Sequence, residues 1–329
     1  MLRTIRRAAL FSAATLLAVY ATGAALVARV PDRFIHFPEP EIARTPGVLG
    51  IGYTDVWLEV GSGRALVHGW WLPNAEDSPV VLLLHGTGRT IRGMVHVAAA
   101  LHRAGAAVLM IDYRGLGRSD RGPLTEATMY EDAQMAWRLA AALQPGLAPR
   151  FVYGHSLGAP VALELALRDP EVAGVIVEGA PTSILDLLRA SPLRWLYPVD
   201  WLLAGRFDAA AKLPRVRAPI LLIHGRGDRI VPPGMSVELH RRANDPKWLL
   251  LIDGAAHSDS AARGGREYSA AIGRLLASRE ARGLAGPPGS GGVGRPADRM
   301  ITLHELRARE DLRFRAAGAD DLEADGKRR

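Results

Sequence analysis

The chain has no cysteine among its 329 residues. That excludes disulfides, thiolate metal sites, lipidated cysteines and a cysteine nucleophile. It does not exclude export, for which disulfides are only one argument. Lysine is scarce beside arginine, and nowhere do five or six like charges form a block. The net charge of +7 and a pI of about 10.1 therefore do not describe a nucleic-acid footprint. Part of the excess lies in Arg3, Arg6 and Arg7, and the other arginines are scattered among acids. What is present is a globular composition, 48% hydrophobic and 23% charged. The length accommodates one large α/β domain of about 250 residues.

Three regions follow from patterning. Residues 1–30 read as a targeting segment: Ala8 to Ala28 carries no charge and follows the three arginines. About 20 apolar residues span a bilayer as a helix, and basic residues ahead of them favour an orientation with the remainder outside the cytoplasm. A cleaved signal peptide with Ala21-Thr22-Gly23 as its small-residue site is the alternative; the length of the run favours an anchor. Residues 31–282 form the globular part. A hairpin is expected over Thr54–Val60 and Arg64–Leu72 around Gly61-Ser62-Gly63. Strands are expected at Val80–His85, Ala107–Asp112, Arg150–Tyr153, Val172–Val177, Pro219–His224 and Leu249–Ile252. They alternate with helices at Ile91–Arg103, Met129–Leu143, Leu157–Arg168 and Tyr268–Leu276, which predicts a mainly parallel sheet covered on both faces. Residues 181–218 interrupt this rhythm with a Leu-, Trp- and Pro-rich insertion, the place for a short helical cap. Residues 283–329 open with a Gly/Pro linker and continue as a mixed-charge tail with one expected helix at Ile301–Phe314. Gly289 to Gly294 satisfies G-x-G-x-x-G, but no strand precedes it, so dinucleotide binding is not inferred.

The chemistry concentrates at strand ends. Gly154-His155-Ser156-Leu157-Gly158 fits G-x-S-x-G between an apolar strand and a helix. A turn that sharp exposes its central hydroxyl, and side chains at the flanking glycines would collide with neighbouring backbone. A serine hydroxyl needs a base, and the base needs a carboxylate to orient it. Asp228 lies just past the strand ending at His224, and His257 just past the last strand, in the chain order Ser, Asp, His. Asp253, Asp259 and Glu178 are less well placed competitors for the acid. His85, His155 and His224 also lie at strand ends, but too early in the chain to be the base. For a developing oxyanion, the Leu157 N–H is one expected donor and the Thr87 N–H, in His85-Gly86-Thr87-Gly88, the other.

With these motifs in order, residues 45–280 resemble the α/β-hydrolases, and more narrowly the membrane-anchored serine hydrolases related to serine aminopeptidases and to monoglyceride or lysophospholipid lipases. LLLHGTG (82–88), IDYRGLGRSDRGPL (111–124), YGHSLGAPVAL (153–163), PILLIHGRGDRIVP (219–232) and GAAHSD (254–259) carry the resemblance. It implies hydrolysis of an ester, thioester or amide through an acyl-enzyme: Ser156 attacks, His257 shuttles the proton and Asp228 holds the imidazole. It also implies that no metal or organic cofactor is needed, and makes Asp112-Tyr113-Arg114-Gly115 a structural brace. Apolar residues between Leu185 and Leu203 suit docking of a cap and, where they face the cleft, an acyl chain of a small-molecule or lipid-like substrate. Peptidase, acyltransferase and non-catalytic binding functions share the same residues and remain the alternatives.

Overall fold

The computed structural model describes residues 45–190 (without 87, 89, 145 and 147), 207–278 and 312–315, with residues 15 and 18–23 near the N-terminus. Its centre is a sheet of strands β1 (Thr54–Val60), β2 (Ala65–Leu72), β3 (Val80–Leu84), β4 (Ala107–Ile111), β5 (Arg150–His155), β6 (Val172–Glu178), β7 (Ile220–Gly225), β8 (Lys247–Ile252) and β9 (Leu312–Arg315). Their order is β8-β7-β6-β5-β3-β4-β2-β1-β9. Strands β3 to β8 run parallel, whereas β2 is antiparallel to β4 and β1, and β1 to β9. The parallel sheet covered on both faces, expected from the alternation of elements, is the one observed.

The unbroken apolar run of β3 has a direct cause. Val80, Leu82 and Leu84 join the core on one face, and Val81 and Leu83 the core on the other. Each buried side chain of that size stabilises by about 1.5–3 kcal/mol. Helices α1 (Val95–Arg103) and α7 (Ser260–Leu276) cover one face. On the opposite face lie α2 (Glu126–Leu143), α3 (Gly158–Arg168), α5 (Ala209–Lys212) and α6 (Gly234–Arg242). Between β6 and β7 the described residues include α5 and the short α4 (Ile184–Arg189), while 191–206, the middle of the expected cap, lies outside them.

Several boundaries differ from the sequence expectation. Helix α2 starts at Glu126 rather than Met129, because Thr125 and Thr128 form a reciprocal capping box. The expected helix at Ile91 begins as a 3-10 turn over Ile91–Met94. Tail residues Leu312–Arg315, expected in part as helix, form β9 against β1; Leu-Arg-Phe-Arg alternates with the period of a strand. Of the apolar N-terminal run, residues 15 and 18–23 are helical with Val19 and Tyr20 exposed, and the remainder lies outside the described residues. Among the described residues no helix is long and apolar enough to cross a membrane.

Candidate active site

Strand β5 delivers Ser156 to the end of the sheet, and α3 opens two residues later. Ser156 sits in the left-handed region at φ 52°. A non-glycine residue held there costs about 1–3 kcal/mol, so the surroundings must impose it. They do so with backbone bonds: Ser156 N–H donates to Glu178 O at 2.8 Å, and Ala159 N–H to Ser156 O at 3.0 Å. The flanks have no room for side chains. A Cβ on Gly154 would lie 2.5 Å from Ala159 Cα, and one on Gly158 would lie 2.7 Å from His85 O.

The structure brings Ser156, His257 and Asp228 together across three loops. His257 Nε2 lies 3.1 Å from Ser156 Oγ, and His257 Nδ1 lies 2.7 Å from Asp228 Oδ2. A carboxylate only accepts, so the ring proton belongs on Nδ1 and leaves Nε2 as acceptor for the hydroxyl. Asp228 is buried, and its Oδ1 accepts the N–H groups of Ile230 at 2.8 Å and Val231 at 2.9 Å. Burial alone would raise its pKa. Hydrogen bonds from His224 and His257 outweigh burial and hold the carboxyl well below the usual carboxylate range.

The competing acids lie elsewhere. Asp253 pairs with Arg226 at 2.7 Å, and Asp259 accepts from Ala256 N–H at 2.6 Å. Glu178 is buried beneath the loop and accepts from Tyr153 and Tyr268, the latter at 2.8 Å; burial raises its pKa against those bonds. Two histidines set aside as bases have supporting positions that sequence reasoning missed. His224 Nε2 lies 3.1 Å from Asp228 Oδ2 and 3.0 Å from Val231 O, and its Nδ1 lies 2.6 Å from Ser236 Oγ. His155 Nε2 donates to His257 O at 2.9 Å, tying the backbone of His257 to β5. The readable signal was a polar ring at the end of each buried strand, which is stable only with partners there.

Of the two expected oxyanion donors, Leu157 follows Ser156 at the start of α3, where N–H groups lack intrahelical partners. Thr87 lies outside the described residues. Its neighbour Gly86 is close to Ser156, since a Cβ there would lie 2.9 Å from Ser156 Cβ. Asp112 ties both ends of this loop: Oδ1 accepts Ile91 N–H at 2.8 Å and lies 3.5 Å from His85 Nε2. On the other side Asp112 Oδ2 lies 3.6 Å from His68 Nδ1, and His68 Nε2 meets Asp55 at 2.5 Å. Burial would raise the Asp112 pKa, but His68 and His85 outweigh it and lower it far below 3.8.

A sign follows for stability. Asp112 and Asp228 have folded pKa values below their unfolded ones, so their contribution is complete above about pH 4 and lost as pH falls further. The denaturation midpoint is expected to drop as pH falls below about 4, and Asp112→Asn to flatten that drop while lowering the midpoint at pH 7. Urea titrations across this range check it; an unchanged acid limb in the variant contradicts the assignment.

Among the described residues no cluster of His, Asp or Glu is arranged to hold a metal ion. What the arrangement can do is remove a proton from a hydroxyl as it attacks an electrophilic carbon.

The family model described as Serine aminopeptidase, S33 (Hydrolase_4) matches residues 75–201. An uncharacterized protein of Mycobacterium tuberculosis is 33% identical over 248 residues, covering 74% of this chain and 86% of the relative. Lysophosphatidylserine lipase ABHD12 of Danio rerio is 29% identical over 230 residues, covering 64% of this chain and 59% of the lipase. An esterase of Pyrococcus furiosus superposes with a TM-score of 0.61 at 22% identity, over 73% of this chain and 96% of the esterase. At that identity the likeness is one of fold.

Proposed function

The chain belongs to the α/β-hydrolase superfamily, and from that premise we propose that it is a serine esterase of lipid-like acyl esters, anchored to a membrane by residues 1–30. The observation that carries the reading is the continuous relay from Asp228 through His257 to a serine held at positive φ. In the proposed reaction Ser156 Oγ attacks the acyl carbon and its proton passes to His257 Nε2. The Leu157 N–H is assigned to the oxyanion, with the Thr87 N–H, expected from the sequence, as the second donor. Collapse expels the alcohol, which takes the proton from His257. Water then repeats the sequence on the acyl-enzyme and releases the acid and free Ser156.

Four features support a lipid-like substrate and a membrane site. The insertion at 181–218 is rich in leucine and tryptophan, and Ile230, two residues from Asp228, is 64% exposed. The uncharged run Ala8–Ala28 would hold the domain beside a bilayer, on the side away from the cytoplasm. One relative is named a lysophosphatidylserine lipase. The name of the matching family model favours a second reading, a peptidase, since the same relay serves an amide.

A fluorophosphonate probe tests the proposal on the full chain in fractionated cells. Wild type is expected to label in the membrane fraction and Ser156→Ala not at all. Equal labelling of the variant removes the nucleophile, and labelled protein in the soluble fraction removes the anchor. Nitrophenyl esters of increasing acyl length, beside aminoacyl anilides, then separate the substrates: turnover confined to the anilides favours the peptidase.

A further inference from the structure

Among the described residues β8 is the last strand at its edge of the sheet. Such an edge offers backbone donors and acceptors to a further strand, and proteins usually guard it with charge or proline. Here Trp248 to Ile252 reads Trp-Leu-Leu-Leu-Ile with neither. Trp248 is 41% exposed, and Leu249, Leu250 and Leu251 are only partly buried.

We propose that this edge is an interface at which β8 pairs antiparallel with β8 of a second copy of the chain, about a two-fold axis through Leu250. The geometry restricts the register. Ile220 N–H donates to Pro246 O at 3.1 Å and Arg226 N–H to Ile252 O at 2.9 Å. In the alternating parallel ladder the even-numbered residues therefore direct their backbone groups at β7, and those of Leu249 and Leu251 point away from it. Two copies can exchange hydrogen bonds only through odd-numbered residues. Pairing Leu249 with Leu251 does this and sets Leu250 opposite Leu250.

The sequence around that axis is complementary to itself. The same register sets Lys247 opposite Asp253 at both ends and Trp248 opposite Ile252. Opposite charges at facing positions stabilise antiparallel pairs, as do aromatic–aliphatic ones. Asp253 keeps 90% of its side chain exposed although it pairs with Arg226. A second copy satisfies every position of the strand at once, as an isologous interface requires.

The absence of cysteine makes the register testable, because an introduced thiol is the only one. Facing residues at a non-hydrogen-bonded antiparallel position lie about 4.5 Å apart at Cα, within disulfide range. In the full chain solubilised in detergent, Leu250→Cys is expected to form a reducible covalent dimer on mild oxidation, and the exposed Val48→Cys to remain monomeric. Light scattering, corrected for bound detergent, is expected to give twice 35.4 kDa for the wild type. Trp248→Lys is expected to give the mass of one chain with unchanged fluorophosphonate labelling. A wild type of one chain at every concentration, a dimeric Trp248→Lys, or equal cross-linking at positions 48 and 250 each overturns the proposal.

Discussion

Replacing Asp228 with asparagine is expected to lower kcat by about ten-thousand-fold with little change in KM, while the variant still folds. The size follows from the hydrogen bonds. Asp228 Oδ1 is held by the N–H groups of Ile230 and Val231, so an asparagine there keeps its carbonyl oxygen in that place. Its amide nitrogen must then face His257 Nδ1 and His224 Nε2, where Oδ2 now lies at 2.7 and 3.1 Å. Donor meets donor. His257 relieves the clash by moving its proton to Nε2, which then faces Ser156 Oγ as a donor and cannot take the hydroxyl proton. A carboxamide at Glu178 has no such effect on His257, because that side chain bonds Tyr153 and Tyr268. Glu178→Gln is therefore expected to stay within about tenfold of wild type. Steady-state kinetics on a nitrophenyl ester decide: a loss under tenfold in Asp228→Asn, or a larger one in Glu178→Gln, reassigns the acid.

Ser156, Asp228 and His257 were legible because each follows a short apolar run, the buried strands β5 and β7 and the partly buried edge strand β8. β3 is apolar throughout, and β7 is apolar up to His224, because both faces of the sheet are covered. Elements with one thin buried stripe were not legible. Helix α6 buries only Ser236 and Leu239, so Gly234–Arg242 carries no apolar period to read. Helix α7 begins eight residues before its expected start at Tyr268, because Gly264 and Gly265 mask its first turns and Gly265 at φ 47° kinks it. Pairings between distant segments were hidden for another reason. Asp112 meets Ile91 from 21 residues away, and His155 meets His257 from 102 away. No local period encodes such contacts. The tie from Asp112 to the loop at 85–91 needed coordinates, although the 112–115 segment was already expected to brace rather than react.

Arg114, in that same segment, carries the largest expected effect on stability. Arg114 Nε donates to Asp132 Oδ1 at 2.7 Å, and its backbone N–H to Asp132 Oδ2 at 2.9 Å. Its Nη2 reaches Thr128 O at 3.3 Å and pairs with Glu131. Asp132 is completely buried on α2, so Arg114→Ala removes its counter-ion without opening a path to water. Breaking a buried pair from one side costs about 3–5 kcal/mol. For a domain of this size that lowers Tm by about 10 °C. The deficit has a pH signature. Burial pushes Asp132 up to about 6 even against the bonds from Arg114, and losing the guanidinium pushes it further. A carboxyl whose folded pKa exceeds its unfolded value of 3.8 loses stability as pH rises between the two, and regains it on acidification. The variant should therefore lie closest to wild type near about pH 5 and furthest from it near about pH 8. Adding Asp132→Asn to Arg114→Ala should recover much of the loss, since no charge is then left buried. Calorimetry at the two pH values, on both variants, carries the test. A deficit that does not shrink at the lower pH, or a double variant no more stable than the single one, means that Arg114 acts through packing of its stem and not through the charge of Asp132.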